Sequence, residues 1–368
     1  MSVSRRLRRV ALWLVVLVLG LLNAVLLLAP ADWLERHWLG GPWSWWPALT
    51  SRLHALLPLP VTLSALAIIA LAALLWALAR PPRLRRSLIA LLAGGALLAS
   101  TFVPAWGAAY RRVPLATSLQ LEPGGADREA LLESLEQLVR LVAADAPAQP
   151  LAVLADEPSL ALAVAAAARC VADADELVTG RRVAVPPRVR SLPAGTFLRA
   201  GYAGIALPWL LEPHVDAGLP AAARLGVAVH ELTHTAGWAR ESDTDALAIL
   251  AGLGCDHEWV RYASALRGVQ AIQVGLRPLL PEGSAERARV QAALASLPQV
   301  AHDDRSAQVA AARQWYTPAL AEAVSGVYDG YLRTQGVAGG IADYDAAGAL
   351  VGAALAACGV GASASWCR

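Results

Sequence analysis

The sequence predicts a mainly α chain: three N-terminal transmembrane helices, then a mostly helical domain with a small β element. Three observations predict it. Uncharged apolar runs of bilayer length crowd the first third of the 368 residues, of which 57% are hydrophobic. Charge divides unequally: residues 1–112 carry 12 Arg and 2 acids, whereas 113–368 carry 19 Arg and 27 acids. Beyond 113, apolar residues recur at helical spacing except in a Pro- and Gly-rich stretch at 186–219.

The runs 10–29, 61–79 and 88–106 contain no charged residue, and each is long enough to cross a bilayer. They define an expected membrane anchor over 1–112. A cleaved signal peptide competes at the N-terminus, where RRLRR precedes the first run, but that run is longer than a usual signal core. Arg5, Arg6, Arg8 and Arg9 precede the first run, and Arg80, Arg83, Arg85 and Arg86 follow the second. The loop between these runs has only Arg36 and Arg52. Positive charge favours the cytoplasmic side, so everything after Trp106 is expected outside the cytoplasm. Residues 30–60 hold Trp33, Trp38, Trp43, Trp45 and Trp46, the pattern of a segment lying on the membrane surface and anchoring there.

All 31 basic residues are Arg, which with the Ala and Leu content points to a GC-rich bacterial genome. The sequence pI of about 8.4 comes from the membrane third, so it argues for anionic lipid and not for nucleic acid. Cys170, Cys255, Cys358 and Cys367 all follow the expected spans, where one or two disulfides can form. Cys358–Cys367 is the most local pairing, with free buried thiols as the alternative.

The expected outer domain, 113–368, is helical at 126–145, where Leu131, Leu135, Leu138 and Leu141 or Val142 form a stripe, and at 158–178. Loops with one or two short strands are expected over 186–219, and helices from 220 to about 357. Pro220 can open a helix that runs through His230-Glu231-Leu232-Thr233-His234. Four residues apart, the two imidazoles share a helix face and can hold one metal ion, with Glu231 beside them to act on a water. Gly237 is placed to end this helix in a left-handed turn. On a second helix from about Ala239, Glu241, Thr244, Asp245 and Ala248 share a face. Glu241 is then the third ligand, with Asp243 as fallback, and Asp245 is the acceptor that orients a ligand His.

The pattern Glu241-x-x-Thr244-Asp245 resembles the second zinc motif of the gluzincin peptidases, at shorter separation. The metzincin pattern fits less well, because its third-ligand slot holds Arg240. Of the other His, His37 and His54 sit in the interfacial loop, and His214, His257 and His302 stand singly and read as surface or core residues.

Beyond the motif, the chain resembles a bacterial membrane family filed as domain of unknown function 3810. The resemblance rests on WGAAYRRVPL (106–115), PRVRSLPAGTFLRAGYAGIALPW (187–209), HELTHTAGWARESDTDALA (230–248), RYASALRG (261–268) and VYDGYLRTQGVAGGIADY (327–344). It implies three N-terminal spans and an outer zincin-like (gluzincin) domain, with His230, His234 and Glu241 as ligands and Glu231 as base. The chain departs from the family at Asp243, Thr244 and Asp245, where Glu-Ala-Asn is favoured.

The expected function is a membrane-anchored zinc metallopeptidase of the bacterial inner membrane, acting on peptide or protein substrates outside the cytoplasm. The alternative is a non-catalytic zinc-binding membrane protein with a structural, sensing or assembly role. Tyr202 and Tyr331, with Tyr328 and Tyr344, are candidate oxyanion or substrate contacts, although Tyr is more often a packing residue. The 195–208 stretch is the candidate edge strand for substrate backbone.

Overall fold

The computed structural model describes residues 3–57, 60, 64, 68, 69, 71, 72, 84–121 and 127–358, leaving aside the side chains of 3–9, 11, 12, 84–91, 93 and 358. The chain is mainly helical with one three-stranded sheet among those residues. It opens with α1 (Val3–Leu28), short turns over Ala31–Ser44, α2 (Trp45–Leu56) and α3 (Leu84–Ala105). α1 packs on α3, and Asn23 Nδ2 donates to Ser100 O at 2.8 Å.

The three expected spans are not met among the described residues, where no helix is long and apolar enough to cross a membrane. The run 61–79 lies mostly outside the described residues, and the runs 10–29 and 88–106 lose side chains at 11, 12, 88–91 and 93. What is described of these helices is apolar and outward-facing: Trp13, Leu14, Leu17, Val18 and Leu21 on α1 and Leu92 on α3 are each at least 55% exposed.

The Trp-rich segment does more than lie flat. Trp33 and Trp45 are exposed, but Trp43 is buried and its Nε1 donates to Ala105 O at 2.8 Å. Trp46 Nε1 donates to Trp209 O at 2.6 Å. These two indole N–H groups find backbone carbonyls, the first at the end of α3 and the second in the following domain, so the segment is fastened to both.

That domain is built from α4 (Arg128–Ala144) and α5 (Glu157–Thr179), the sheet, and α6 (Ala221–Thr235), α7 (Glu241–Leu253), α8 (Glu258–Leu276), α9 (Ala285–Ala295), α10 (Gln299–Trp315), α11 (Pro318–Thr334) and α12 (Ala347–Cys358). Asp127 and Asp156 cap α4 and α5 by accepting from Ala130 N and Ser159 N. The expected stripe of α4 is the buried one: Leu131, Leu135, Leu138 and Val142 face α8 and α12, with Leu141 at its margin. α7 is buried on every side, enclosed by α5, α6, α8 and α12, which is why its sequence after Asp245 is Ala, Leu, Ile and Gly.

The sheet holds three strands where one or two were expected: β1 (Arg190–Leu192), β2 (Gly204–Leu207) and β3 (Glu212–Asp216). Their spatial order is β1-β3-β2, with β3 parallel to β1 and antiparallel to β2. β3 reads Glu-Pro-His-Val-Asp and all five residues are buried, so it shows no alternation of polar and apolar residues. A disulfide joins Cys170 on α5 to Cys255 just beyond α7. The local pairing named from the sequence, Cys358–Cys367, falls on Cys367 and the Cys358 side chain, which lie outside the described residues.

Candidate metal centre

The centre is carried by α6, a five-residue turn and α7. Gly237 stops α6 in a left-handed conformation, φ +89°, as its position between the motif and the second helix requires. A Cβ there would also lie 2.6 Å from the Trp43 ring, so two independent constraints demand glycine.

This turn brings Glu241 back over the imidazoles. His230 Nε2 and His234 Nε2 face the same carboxylate oxygen, Glu241 Oε2, at 3.2 and 3.3 Å. All three residues are buried, and their donor atoms lie within 4.8 Å of one another. A tetrahedral ion with bonds of about 2.0–2.1 Å holds its donors roughly 3.3 Å apart, so the spacing fits a metal.

The far ring nitrogens are already occupied. His234 Nδ1 lies 2.7 Å from Trp238 O, and His230 Nδ1 lies 3.2 Å from Asp245 Oδ1. These acceptors hold the Nδ1 side of each ring and aim both Nε2 atoms at Glu241. Asp245 is itself gripped by the Arg267 guanidinium of α8. Thr244 Oγ1 donates to the carbonyls of Trp238 and Arg240, locking the turn.

The electrostatics follow from this crowding. Burial disfavours the Glu241 carboxylate, yet His234 and His230 hold its pKa well below the ordinary value. For Asp245, burial is likewise outweighed by Arg267 and His230, which hold it at about 2. Burial raises the pKa of Glu231, and the two imidazoles only partly offset this. Among the described residues Glu231 Oε2 is buried with no hydrogen-bond partner, a costly state for a carboxylate and one suited to a proton acceptor.

Asp243, the fallback ligand, is absent from the cluster. It accepts from the Leu115 backbone, and burial pushes its pKa up to about 6. Arg240 donates its Nε to Tyr110 O at 3.0 Å.

His230, Glu231, His234 and Glu241 open into a cavity of about 620 Å³. All four tyrosines proposed from the sequence line it, but in different roles. Tyr328 and Tyr344 hydrogen-bond Glu241. Tyr202 packs edge-on against Tyr328, with its hydroxyl 3.4 Å from Ser325 Oγ, and Tyr331 packs against Phe102, Tyr110 and Tyr328.

β2 runs along the cavity as the sheet's edge. Asp216 N donates to Ala203 O at 2.9 Å, so by the alternation of an antiparallel pair Gly204 and Ala206 direct their amides and carbonyls away from β3. A Cβ on Gly204 would lie 2.7 Å from Glu231 Oε1 and 2.6 Å from His214 O, so only glycine lets the strand approach the acid.

Sequence reasoning missed the aromatic walls, Phe102, Trp106, Phe197 and Trp209, and the role of Arg267. Nothing local marks them, because each comes from a segment remote from the motif. Arg112 was missed as well. It stacks over Trp238 at 3.6 Å, donates to Gly237 O at 3.0 Å and pairs with Glu35 at 2.8 Å, tying the Trp-rich segment to the turn.

No curated protein and no solved structure matches the chain. One family profile does, over residues 41–351, a span that covers most of the chain and all of this centre. The chain therefore belongs to the family described as protein of unknown function (DUF3810).

Proposed function

We propose that this chain is a membrane-anchored zinc metallopeptidase. The observation that carries the reading is the convergence of His230 Nε2 and His234 Nε2 on one oxygen of Glu241, with the buried Glu231 Oε2, which has no hydrogen-bond partner among the described residues, in the same cavity. A structural zinc site has four protein ligands and no need of a buried free acid, whereas this centre offers three and leaves one side to the cavity.

A zinc ion held by His230, His234 and Glu241 would supply a Lewis acid that polarises a carbonyl and acidifies a water. Glu231 accepts a proton from that water as its oxygen attacks the carbonyl carbon. It then delivers the proton to the leaving nitrogen as the C–N bond breaks. The outer edge of β2, at Gly204 and Ala206, pairs with the extended substrate backbone. Tyr328 and Tyr344 are engaged with Glu241 and Tyr331 with Tyr110, so Tyr202 is the hydroxyl assigned to the developing oxyanion.

The anchor is supported by the exposed apolar faces of α1 and α3 and by the Arg distribution of residues 1–112. Both favour a multi-pass inner-membrane location with the centre outside the cytoplasm.

The test uses the full chain in detergent as wild type, Glu231→Gln and His234→Ala, reading metal content and cleavage of a peptide library. Wild type and Glu231→Gln should each hold one zinc, and His234→Ala little. Turnover should fall about 10²–10⁴-fold in Glu231→Gln, the usual contribution of a general base. Equal turnover in these two proteins removes the mechanism. Zinc without turnover in wild type leaves the structural or sensing reading.

A further inference from the structure

The cavity walls carry information that the metal cluster does not. Apart from His230, Glu231, His234 and Glu241, none of the described residues lining it is charged or imidazole-bearing. Its polar side chains are Thr196 and tyrosines, and of these Tyr328 and Tyr344 are bonded to Glu241. The remaining surface is apolar, and its largest side chains are Phe102 of α3, Trp106 just beyond it, Phe197, Ile205, Trp209, and Leu320 and Val324 from α11. A charged group entering this space loses its hydration without gaining a counter-ion, whereas an apolar side chain gains by burial.

The same walls connect the cavity to the exposed apolar surface. Phe102 sits on α3, whose Leu92, Leu97 and Leu98 face outward. Its ring lies 5.7 Å from that of Trp209. Trp209 O accepts from Trp46 on α2, and α2 exposes Trp45 and Leu49. The cavity wall is therefore shared with the elements whose exposed apolar faces the proposed anchor would seat in lipid.

We propose that this site takes a polypeptide embedded in the same bilayer. It would bind the extended stretch where that polypeptide leaves the lipid, with a large apolar or aromatic side chain in the cavity. The inference rests on the peptidase reading for its chemistry, but not for the choice of side chain.

The test therefore reads binding as well as cleavage. Full-length Glu231→Gln protein in nanodiscs is titrated with fluorescent octapeptides that carry Leu, Phe, Asp or Arg at the central position. Each peptide is supplied free or fused to a membrane-spanning helix in the same disc. Leu and Phe peptides should bind at least tenfold more tightly than Asp and Arg peptides, and the fused forms more tightly than the free. Leu320→Asp should erase the preference for Leu over Arg at unchanged zinc content. Equal affinity for charged and apolar centres overturns the pocket assignment. Equal affinity for free and fused forms overturns the bilayer origin. Apolar preference without turnover in wild type sinks the peptidase reading and leaves the pocket assignment standing.

Discussion

His230, Glu231 and His234 share one turn, and the period of a helix alone puts both imidazoles on one side, which is why these residues were legible in the sequence. Glu241 and Asp245 were legible for the same reason, once Gly237 was read as the stop between two helices. Tyr328, Tyr344 and Arg267 were not, because they approach from α11, a later turn and α8, and no local spacing records that convergence. Asp245 accepts from His230 Nδ1, so Asp245→Ala should weaken metal affinity about 10–100-fold in a chelator competition. Asp245→Asn, which keeps an acceptor, should lose less. Gly204→Val forces a side chain against Glu231 Oε1 and the His214 carbonyl. Activity should fall while metal content stays at the wild-type level. Loss of the metal in Gly204→Val would mean that the strand supports the ligands and not the acid.

The hairpin of α6 and α7 came through almost whole from the sequence, while β3 did not. α6 and α7 are set by Pro220 at the start of the first helix and by Gly237 between the two, which are local signals. β3 is buried on both faces and polar in composition, so only its neighbours make it a strand. Gly237→Ala must adopt φ +89° and intrude on the Trp43 ring. It should cost more than about 1 kcal/mol in urea unfolding, since the strained backbone alone costs about that much. On α5, Asp175 accepts from Trp238 Nε1 and lies 3.9 Å from Arg112. Burial outweighs Arg112 and pushes its pKa up to about 6. An acid whose folded pKa is raised binds more protons folded than unfolded between about pH 4 and 6, so its contribution to stability falls as pH rises through that window. Asp175→Asn should therefore gain in melting temperature relative to wild type from pH 4 to pH 7. A constant difference would show that Arg112 fully compensates the buried charge.

At the scale of the molecule, the family and the mainly helical architecture were readable, because helical periodicity and several separate motifs run through nearly the whole chain. The disulfide was not, since four cysteines allow three pairings and no local spacing records the approach of Cys170 to Cys255. Cys170–Cys255 closes a loop with a sequence separation of 85 residues. Replacing both cysteines by Ala should lower stability by about 2–5 kcal/mol, read as the shift in denaturation midpoint with and without reductant. No change would mean that α5 and α7 hold together by packing alone. The expected boundary at residue 112 separates residues that share one cavity, because Phe102, Trp106 and Tyr110 wall it from one side and Phe197, Trp209 and Leu320 from the other. Trimming the chain at 113 to obtain an easily handled fragment would strip away part of the very chamber a biochemist wished to assay. It would also remove Arg112 from beneath the turn that presents Glu241. Silence from such a fragment would say nothing about the intact protein, and purification should begin with every residue in place.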